Sequence, residues 1–249
     1  MYHNKKVSAI IPARDEEQSI AQVVSGLFAL RDPAGQQVFD HVIVCDNGSL
    51  DNTAQVAQLA GAILVFESQP GYGIACLTAL SAMPDSDIVV FIDGDHSFYP
   101  EQSIRLIEAV YQGAGLVIGS RAKGNMQSGA LTFPQKFGNW LATTLIRWVW
   151  RVPISDLGPF RAISFSALQT IRMQDIRFGW TVEMQVKAIQ HHLIVKECPV
   201  DTRARIGVSK ISGTLGGVIG AALGIFGTIF TLWWLERKTK RKRSKWLNR

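Results

Sequence analysis

Two aspartates one residue apart, Asp93 and Asp95, close the apolar run Ile88-Val89-Val90-Phe91-Ile92. Such a run reads as a buried strand, and residues i and i+2 of an extended chain point the same way. The two carboxylates therefore converge, and Gly94 between them lets a ligand approach the backbone. Like charges this close repel unless a cation lies between them. An all-oxygen pair suits Mg²⁺ or Mn²⁺, which keep further positions for substrate phosphates. A calcium EF-hand loop is excluded, because its sixth position needs glycine and Phe98 stands there. The plainer alternative is a solvated Asp-Gly turn.

Other polar residues fall at the ends of apolar runs in the same way. Asp46 ends the run 41–45, where it can accept hydrogen bonds from a ribose or ring N–H; the competing reading is an Asx turn into the next helix. Arg121 follows the run 115–119, where its guanidinium can hold a phosphate through two parallel bonds; the competing reading is an ion pair at the rim. Gly71-Tyr72-Gly73 precedes a helical stretch, but Cys76 occupies the third glycine position of a dinucleotide fingerprint. That argues against a dehydrogenase and leaves a loop that cradles a nucleotide or turns the chain.

The elements that must position these residues alternate. Strands are expected at 7–12, 41–45, 62–66, 87–92 and 115–119, with helices at 16–30, 51–60, 73–83 and 100–111. Asp51 and Pro100 stand where helix starts favour them. After a Gly/Ser/Gln-rich stretch at 121–135 come an aromatic helix at 136–151, a strand near 158–163, helices near 165–172 and 179–191, and a strand at 193–200. The pattern specifies an α/β fold with a doubly wound, mainly parallel, Rossmann-like sheet, whose ligands collect beyond the carboxyl ends of the strands.

The chain of 249 residues with 47% hydrophobic content suits one such domain and an appendage. Its net charge of +6 is not a property of the domain. The last fourteen residues carry eight Lys/Arg against one Glu, which leaves 18 basic against 19 acidic residues elsewhere. A nucleic-acid footprint on a folded face is therefore not supported. Cys45, Cys76 and Cys198 fit no metal-ligand spacing and are expected to be reduced. No secretory signal opens the chain.

In order along the chain, the sequence presents IPARDEE, VIVCDNGSLDNTA, the Asp93-Gly94-Asp95 pair and VIGSR. This set resembles the family-2 glycosyltransferases of the GT-A fold, and within them the dolichol-phosphate mannose synthases and their bacterial polyprenyl-phosphate relatives. The resemblance covers residues 5–210. It implies a metal held by Asp93 and Asp95 on the diphosphate of a nucleotide sugar, with Ser97 where the family often has Gln. It implies a nucleotide site of Pro12, Arg14, Glu16, Val44, Asp46 and Gly94; Arg14 replaces the usual aromatic residue. It implies a phosphate role for Arg121.

DLGPFRAIS (156–164) is similar to the family's D-x-G-F-[KR] turn and nominates Asp156 for the reaction centre. GWTVEMQVKA (179–188) is similar to the helix that carries the catalytic acid in many inverting GT-A enzymes, which nominates Glu183; an i,i+4 pair with Lys187 is the alternative. VDTRARIGVSK (200–210) is similar to R-x-x-G-x-S-K, with Ser209 and Lys210 in place. Ala204 takes the arginine position, flanked by Arg203 and Arg205 as its replacements for a lipid phosphate. A phosphate monoester is already anionic, so Asp156 is expected to orient acceptor or sugar rather than abstract a proton, and the transfer to invert the anomeric carbon. The Q-x-x-R-W of processive synthases is absent. The expected partners are a nucleotide sugar of the GDP-mannose or UDP-glucose type and a polyprenyl (dolichyl-type) phosphate. Competing readings are a lipid hydroxyl or glycolipid acceptor, a nucleotidyltransferase and a non-catalytic membrane scaffold.

Residues 211–235 carry no charge and would span roughly 37 Å as a helix, enough for a bilayer core. Three units are thus expected: a catalytic domain at 1–210, a hydrophobic membrane segment at 211–235 and a polybasic tail at 236–249. A single crossing would carry the tail away from a cytoplasmic domain, against the positive-inside tendency. Two arrangements resolve the conflict: an in-plane or re-entrant helix with the tail on anionic membrane lipid, which is the expectation, or a true span inserted against the charge rule. Gly216, Gly220 and Gly224 form a small-residue stripe for the aromatic helix or for a second subunit in a homo-oligomer.

Overall fold

Seven strands form, at β1 Val7–Ala13, β2 His41–Asp46, β3 Ile63–Phe66, β4 Ile88–Phe91, β5 Leu116–Ser120, β6 Arg161–Ser164 and β7 Val195–Pro199. They make one sheet in the order β3-β2-β1-β4-β6-β5-β7. The structure, a computed structural model, describes residues 1–207 and 215–247. Every pairing is parallel except those of β6, which runs antiparallel to β4 and β5. The chain steps outward from β1 to β2 and β3, then returns to β4 on the other side of β1. That reversal opens a crevice beyond the carboxyl ends of β1 and β4, the place where such sheets bind ligands.

The helices are α1 Ile20–Ala29, α2 Thr53–Leu59, α3 Tyr72–Ser81, α4 Ser103–Tyr111, α5 Phe133–Trp150, α6 Phe165–Ile171, α7 Trp180–Gln190 and α8 Leu215–Leu247. Strand alternation splits the core between two faces. Ala9, Ile11, Val42, Val44 and Val90 pack with Val23 and Leu27 of α1 and Leu106 of α4. Ile10, Ile43, Val89, Phe91 and Ile118 pack with α3 and α6 and with Trp180, Met184 and Ala188 of α7. The opposite side of α7 is also apolar: Val182 and Val186 meet Ala142 and Ile146 of α5 and Ile229 and Leu232 of α8. The helix is thus buried on two sides, with α5 and α8 as a third layer. Cys45, Cys76 and Cys198 are all free thiols.

Element boundaries depart from expectation where side chains hold the backbone. The helix expected from residue 16 begins at Ile20, because Asp15 sits at φ 52° and two loop amides are taken from outside. Asp15 N donates to Ser49 Oγ at 2.9 Å and Glu16 N to Thr53 Oγ1 at 2.7 Å. α4 is preceded by one 3₁₀ turn, Pro100–Gln102. Asp51 supports the start of α2 by accepting from the Thr53 amide at 3.0 Å.

α8 continues through the expected 235/236 boundary as one helix. Among the described residues no helix is long and apolar enough to cross a membrane. Residues 211–214 of the expected segment lie outside the described residues, as do Ser209 and Lys210. The glycine stripe meets α7's entry: Cβ atoms added at Gly220 and Gly224 would lie 3.7 and 3.2 Å from Phe178.

Candidate active site

A cavity of about 370 Å³ opens at the crevice between β1 and β4. Pro12, Arg14 and Glu16 line it from the end of β1, Asn47 from the end of β2, Tyr72 from α3, and Asp93, Gly94 and Asp95 from the end of β4. Arg177, Phe178 and Arg205 close it from later in the chain. The sequence-nominated Pro12, Arg14, Glu16, Asp93, Gly94, Asp95 and Arg205 are thereby brought together.

Asp93 is raised to about 7 by burial and by the neighbouring charge of Asp95, while the Tyr72 hydroxyl, Arg205 and Arg121 pull it the other way. The Tyr72 hydroxyl donates to Asp93 Oδ1 at 3.1 Å. Asp95 Oδ1 accepts from the Ser97 amide at 2.9 Å, and its Oδ2 lies 3.3 Å from Arg205 Nη2. The same nitrogen is 2.9 Å from Glu16 Oε1. Two converging carboxylates, one under strong pressure to take a proton and the other held by a guanidinium, suit a hard divalent cation. Among the described residues no group of three or more His, Cys, Asp and Glu side chains could hold a metal. Asp93 and Asp95 are the neighbouring carboxylates that could hold such a cation, with substrate oxygens in the other positions.

Gly94 lines the cavity, and its missing side chain also makes room for the core: a Cβ there would lie 3.1 Å from Ile20 Cδ1 and 3.4 Å from Ile11 Cγ2. Val44 is fully buried mid-strand on the α1 side and does not line this cavity. Asp46 is held by Ser49, whose hydroxyl and amide both donate to Oδ1. The Asx-turn reading therefore prevails there, and the adjacent Asn47 lines the cavity instead. Asn47 Nδ2 donates to the carbonyls of Glu67 and Gln69 at 2.9 and 2.7 Å, and its Oδ1 accepts from Gly71 N at 2.8 Å.

That network explains Gly71-Tyr72-Gly73. Gly73 N donates to Arg177 O at 3.1 Å and Ile74 N to Ile176 O at 3.0 Å. A Cβ on Gly71 would fall on the Ile176 carbonyl, and one on Gly73 on that of Asp175. The glycines admit the 175–178 loop, which brings Arg177 and Phe178 over the cavity. Tyr72 between them is the residue the sequence reading missed; its hydroxyl is pushed well above its usual range by burial and by Asp93.

A second cavity of about 290 Å³ shares Tyr72, Asp93 and Phe178 with the first. Arg121 enters it too, and the remaining walls include Leu157, Pro159 and Trp180 with Ala222, Ile225 and Phe226 of α8. Arg121 is gripped by Asp156. Its Nε and Nη2 donate to Oδ2 and Oδ1 at 2.9 and 2.6 Å, and its amide donates to Oδ2 at 2.7 Å. Asp156 is only 1% exposed. Both of its carboxylate oxygens accept from Arg121, an arrangement that aims the guanidinium. Nearby, buried Arg161 is lowered to about 10 by desolvation and donates to the carbonyls of Gly158 and Thr181. It ties the turn after Asp156 to the start of α7.

Glu183 does not reach the site. Its carboxylate accepts from Gln174 N at 3.1 and 3.0 Å and from Asp175 N at 2.7 Å, and it pairs with Lys187 at 2.7 Å. It pins the base of the loop that carries Arg177 and Phe178. Arg203 is likewise structural: it donates to the carbonyls of His96 and Phe98 and lies 4.3 Å over the ring of Tyr99. Of the two candidate replacements at Ala204, Arg205 is the one in the cavity.

Known proteins resemble this chain in sequence and fold. An uncharacterized glycosyltransferase of Mycobacterium tuberculosis is 32% identical over 226 residues, covering 90% of this chain and 97% of that protein. A polyprenol monophosphomannose synthase of Mycolicibacterium smegmatis is 28% identical, covering 84% and 82%. A dolichyl-phosphate hexose transferase of Haloferax volcanii is 26% identical, covering 88% and 90%. Among solved structures, glucosyl-3-phosphoglycerate synthase from M. tuberculosis, in complex with Mn²⁺, UDP and glucosyl-3-phosphoglycerate, superposes with a TM-score of 0.72 at 21% identity. That match covers 92% of this chain and 80% of the other, and it shows the shared GT-A architecture. The sequence profile described as Glycosyl transferase family 2 matches residues 8–172. With two thirds of its length inside that profile, the chain belongs to glycosyl transferase family 2 and is a glycosyltransferase.

Proposed function

We propose that this glycosyltransferase moves one sugar from a nucleotide sugar to a polyprenyl phosphate, with inversion at the anomeric carbon, at the cytoplasmic face of a membrane. The observation that carries the reading is the pair of cavities meeting at Asp93. The first places the carboxylate pair beside a nucleotide-sized crevice. The second aims Arg121 into a mostly apolar chamber walled by α5, α7 and α8, suited to a phosphate on a hydrocarbon chain. Two relatives named for polyprenol monophosphomannose synthesis and dolichyl-phosphate hexose transfer agree with that acceptor.

Chemically, the work falls on positioning. An acceptor phosphate oxygen is anionic near neutral pH and needs little help from a base. Asp156 and Glu183 are both committed elsewhere, as this reading requires. Mg²⁺ or Mn²⁺ bound by Asp93 and Asp95 would neutralise charge on the departing nucleoside diphosphate. Arg121, locked by Asp156, holds the incoming phosphate; Tyr72 keeps Asp93 oriented; Phe178 borders both chambers.

Exposed aromatics support the membrane part of this reading. Phe133, Phe137, Trp140 and Trp148 lie on one face of α5 and are 52–79% exposed. Leu223, Phe230 and Trp234 form a similar row on α8, and Arg237 and Lys238 cap Trp233 and Trp234 at 4.3 and 4.8 Å. Apolar rows beside cations suit a helix lying in the plane of an anionic leaflet, with the basic tail on the same side as the domain.

The deciding experiment offers the purified full chain a panel of nucleotide sugars, polyprenyl phosphate, and Mg²⁺ or Mn²⁺, and reads the lipid product by mass. One hexose added to the phosphate is the expected result. Transfer to a glycolipid hydroxyl with none to polyprenyl phosphate would refute the reading.

A further inference from the structure

We propose that Arg205 is the resident counter-ion of the metal-binding carboxylates: its guanidinium holds Asp95 and Glu16 until a divalent cation takes its place, and then turns to the diphosphate. The inference rests on reading Asp93 and Asp95 as the metal pair.

Asp95 has two oxygens with different duties. Oδ1 accepts from the Ser97 amide at 2.9 Å and shapes the turn. Oδ2 is the oxygen left for a metal, and it is the atom that Arg205 Nη2 approaches at 3.3 Å while contacting Glu16 Oε1 at 2.9 Å. A dication on the carboxylates would face this positive charge at close range, so the two cations exclude each other.

The backbone around Arg205 is tied down. Arg203 N donates to Ser97 O and Ile206 N to Asp95 O, both at 3.0 Å, and Arg203 Nε donates to His96 O at 2.7 Å. Residues 203–206 are strapped along the very turn that carries the metal pair. Exchange therefore needs only a turn of the Arg205 side chain. The destination is in the same cavity, and the donor is already waiting: Arg205 Nε is buried with no hydrogen-bond partner among the described residues. A planar fork of N–H groups with one donor unused fits a diphosphate oxygen. The metal alone thus meets a competitor, whereas metal and nucleoside diphosphate arriving together convert that competitor into a ligand.

The test is Mn²⁺ binding to the full-length protein, read from the electron-paramagnetic-resonance signal of free Mn²⁺, with and without UDP or GDP. Arg205→Met should bind Mn²⁺ about tenfold more tightly than wild type without nucleotide, equivalent to about 1.4 kcal/mol. With nucleotide present the order should reverse. Arg205→Lys, which keeps the charge, should stay near wild type in the nucleotide-free titration. Unchanged or weaker Mn²⁺ binding by Arg205→Met without nucleotide overturns the exchange. Asp95→Asn separates the two ideas: if it binds Mn²⁺ as wild type does, the metal reading itself has failed. Should Arg205→Met not fold, the Arg205 Nε–H resonance of the wild-type protein decides, since it must shift on adding Mg²⁺ and stay unmoved if no exchange occurs.

Discussion

Replacing Asp156 with asparagine separates positioning from proton transfer. The substitution keeps the side chain's shape but removes the charge that faces Arg121 across contacts of 2.6 and 2.9 Å. Asp156 is 1% and Arg121 15% exposed, so the remaining guanidinium gains little solvation in exchange. Breaking a buried pair from one side costs about 3–5 kcal/mol. Arg121 keeps some exposure toward the second cavity, and the asparagine oxygen can still accept one bond, so a loss of about 2–3 kcal/mol is expected. In a chain of this size that lowers the melting temperature by roughly 4–12 °C. Thermal unfolding checks this, together with a double-mutant cycle using Arg121→Met. The two substitutions should be strongly non-additive, with the pair losing less than the sum. Turnover should fall about a hundredfold or more, as when one stabilising donor is lost at a transition state, while the pH–rate profile keeps its shape. A missing acidic limb in that profile with stability untouched would show that Asp156 acts as a base and would refute the argument.

Three further outcomes are expected. Asp93 titrates near 7 in the metal-free protein, so Mn²⁺ binding should weaken as pH falls below 7; because this carboxyl lies above its unfolded value, Asp93→Asn should raise metal-free stability above pH 7 and give no gain below about pH 4, as thermal melts at the two extremes would show. Tyr72→Phe removes the hydrogen bond to Asp93 Oδ1, which should move the midpoint of that metal-binding pH profile upward and weaken Mn²⁺ binding by about 1 kcal/mol in calorimetry. Glu183→Gln should raise KM for the nucleotide sugar and leave the pH–rate profile intact, since the residue fastens the 172–178 loop; a thousandfold fall in kcat with unchanged KM would restore it as a base.

Residues at strand ends were the legible part of the site. Asp93, Asp95, Arg121 and the loop after β1 all follow apolar runs, and a parallel sheet with a reversal of strand order has to gather such positions at one crevice. Contacts between loops distant in sequence were not legible. Nothing local shows that Glu183 serves the amides of Gln174 and Asp175, or that Gly71 and Gly73 make room for carbonyls a hundred residues later. Tyr72 was hidden for that reason, since it opens α3 and its partner Asp93 lies just beyond β4. Val44 was misassigned through strand parity: it faces α1, and the turn beyond β2 carries the cavity-lining residue, Asn47. The fold was legible throughout the alternating region, where period-2 and helical patterns agree with the observed order. The third layer was not, because the two-sided burial of α7 is set by α5 and α8 and not by α7 alone.

The back wall of the second chamber has a practical consequence. Ala222, Ile225 and Phe226 come from α8, the segment an experimenter would delete first to obtain a well-behaved protein. Asp175, at the root of the Phe178 loop, also accepts from Thr228 of the same helix at 3.3 Å. A shortened version ending before α8 would therefore lose part of the wall of the second cavity and a tether on the loop that carries Phe178. Low turnover measured on such a fragment would report the truncation and not the enzyme.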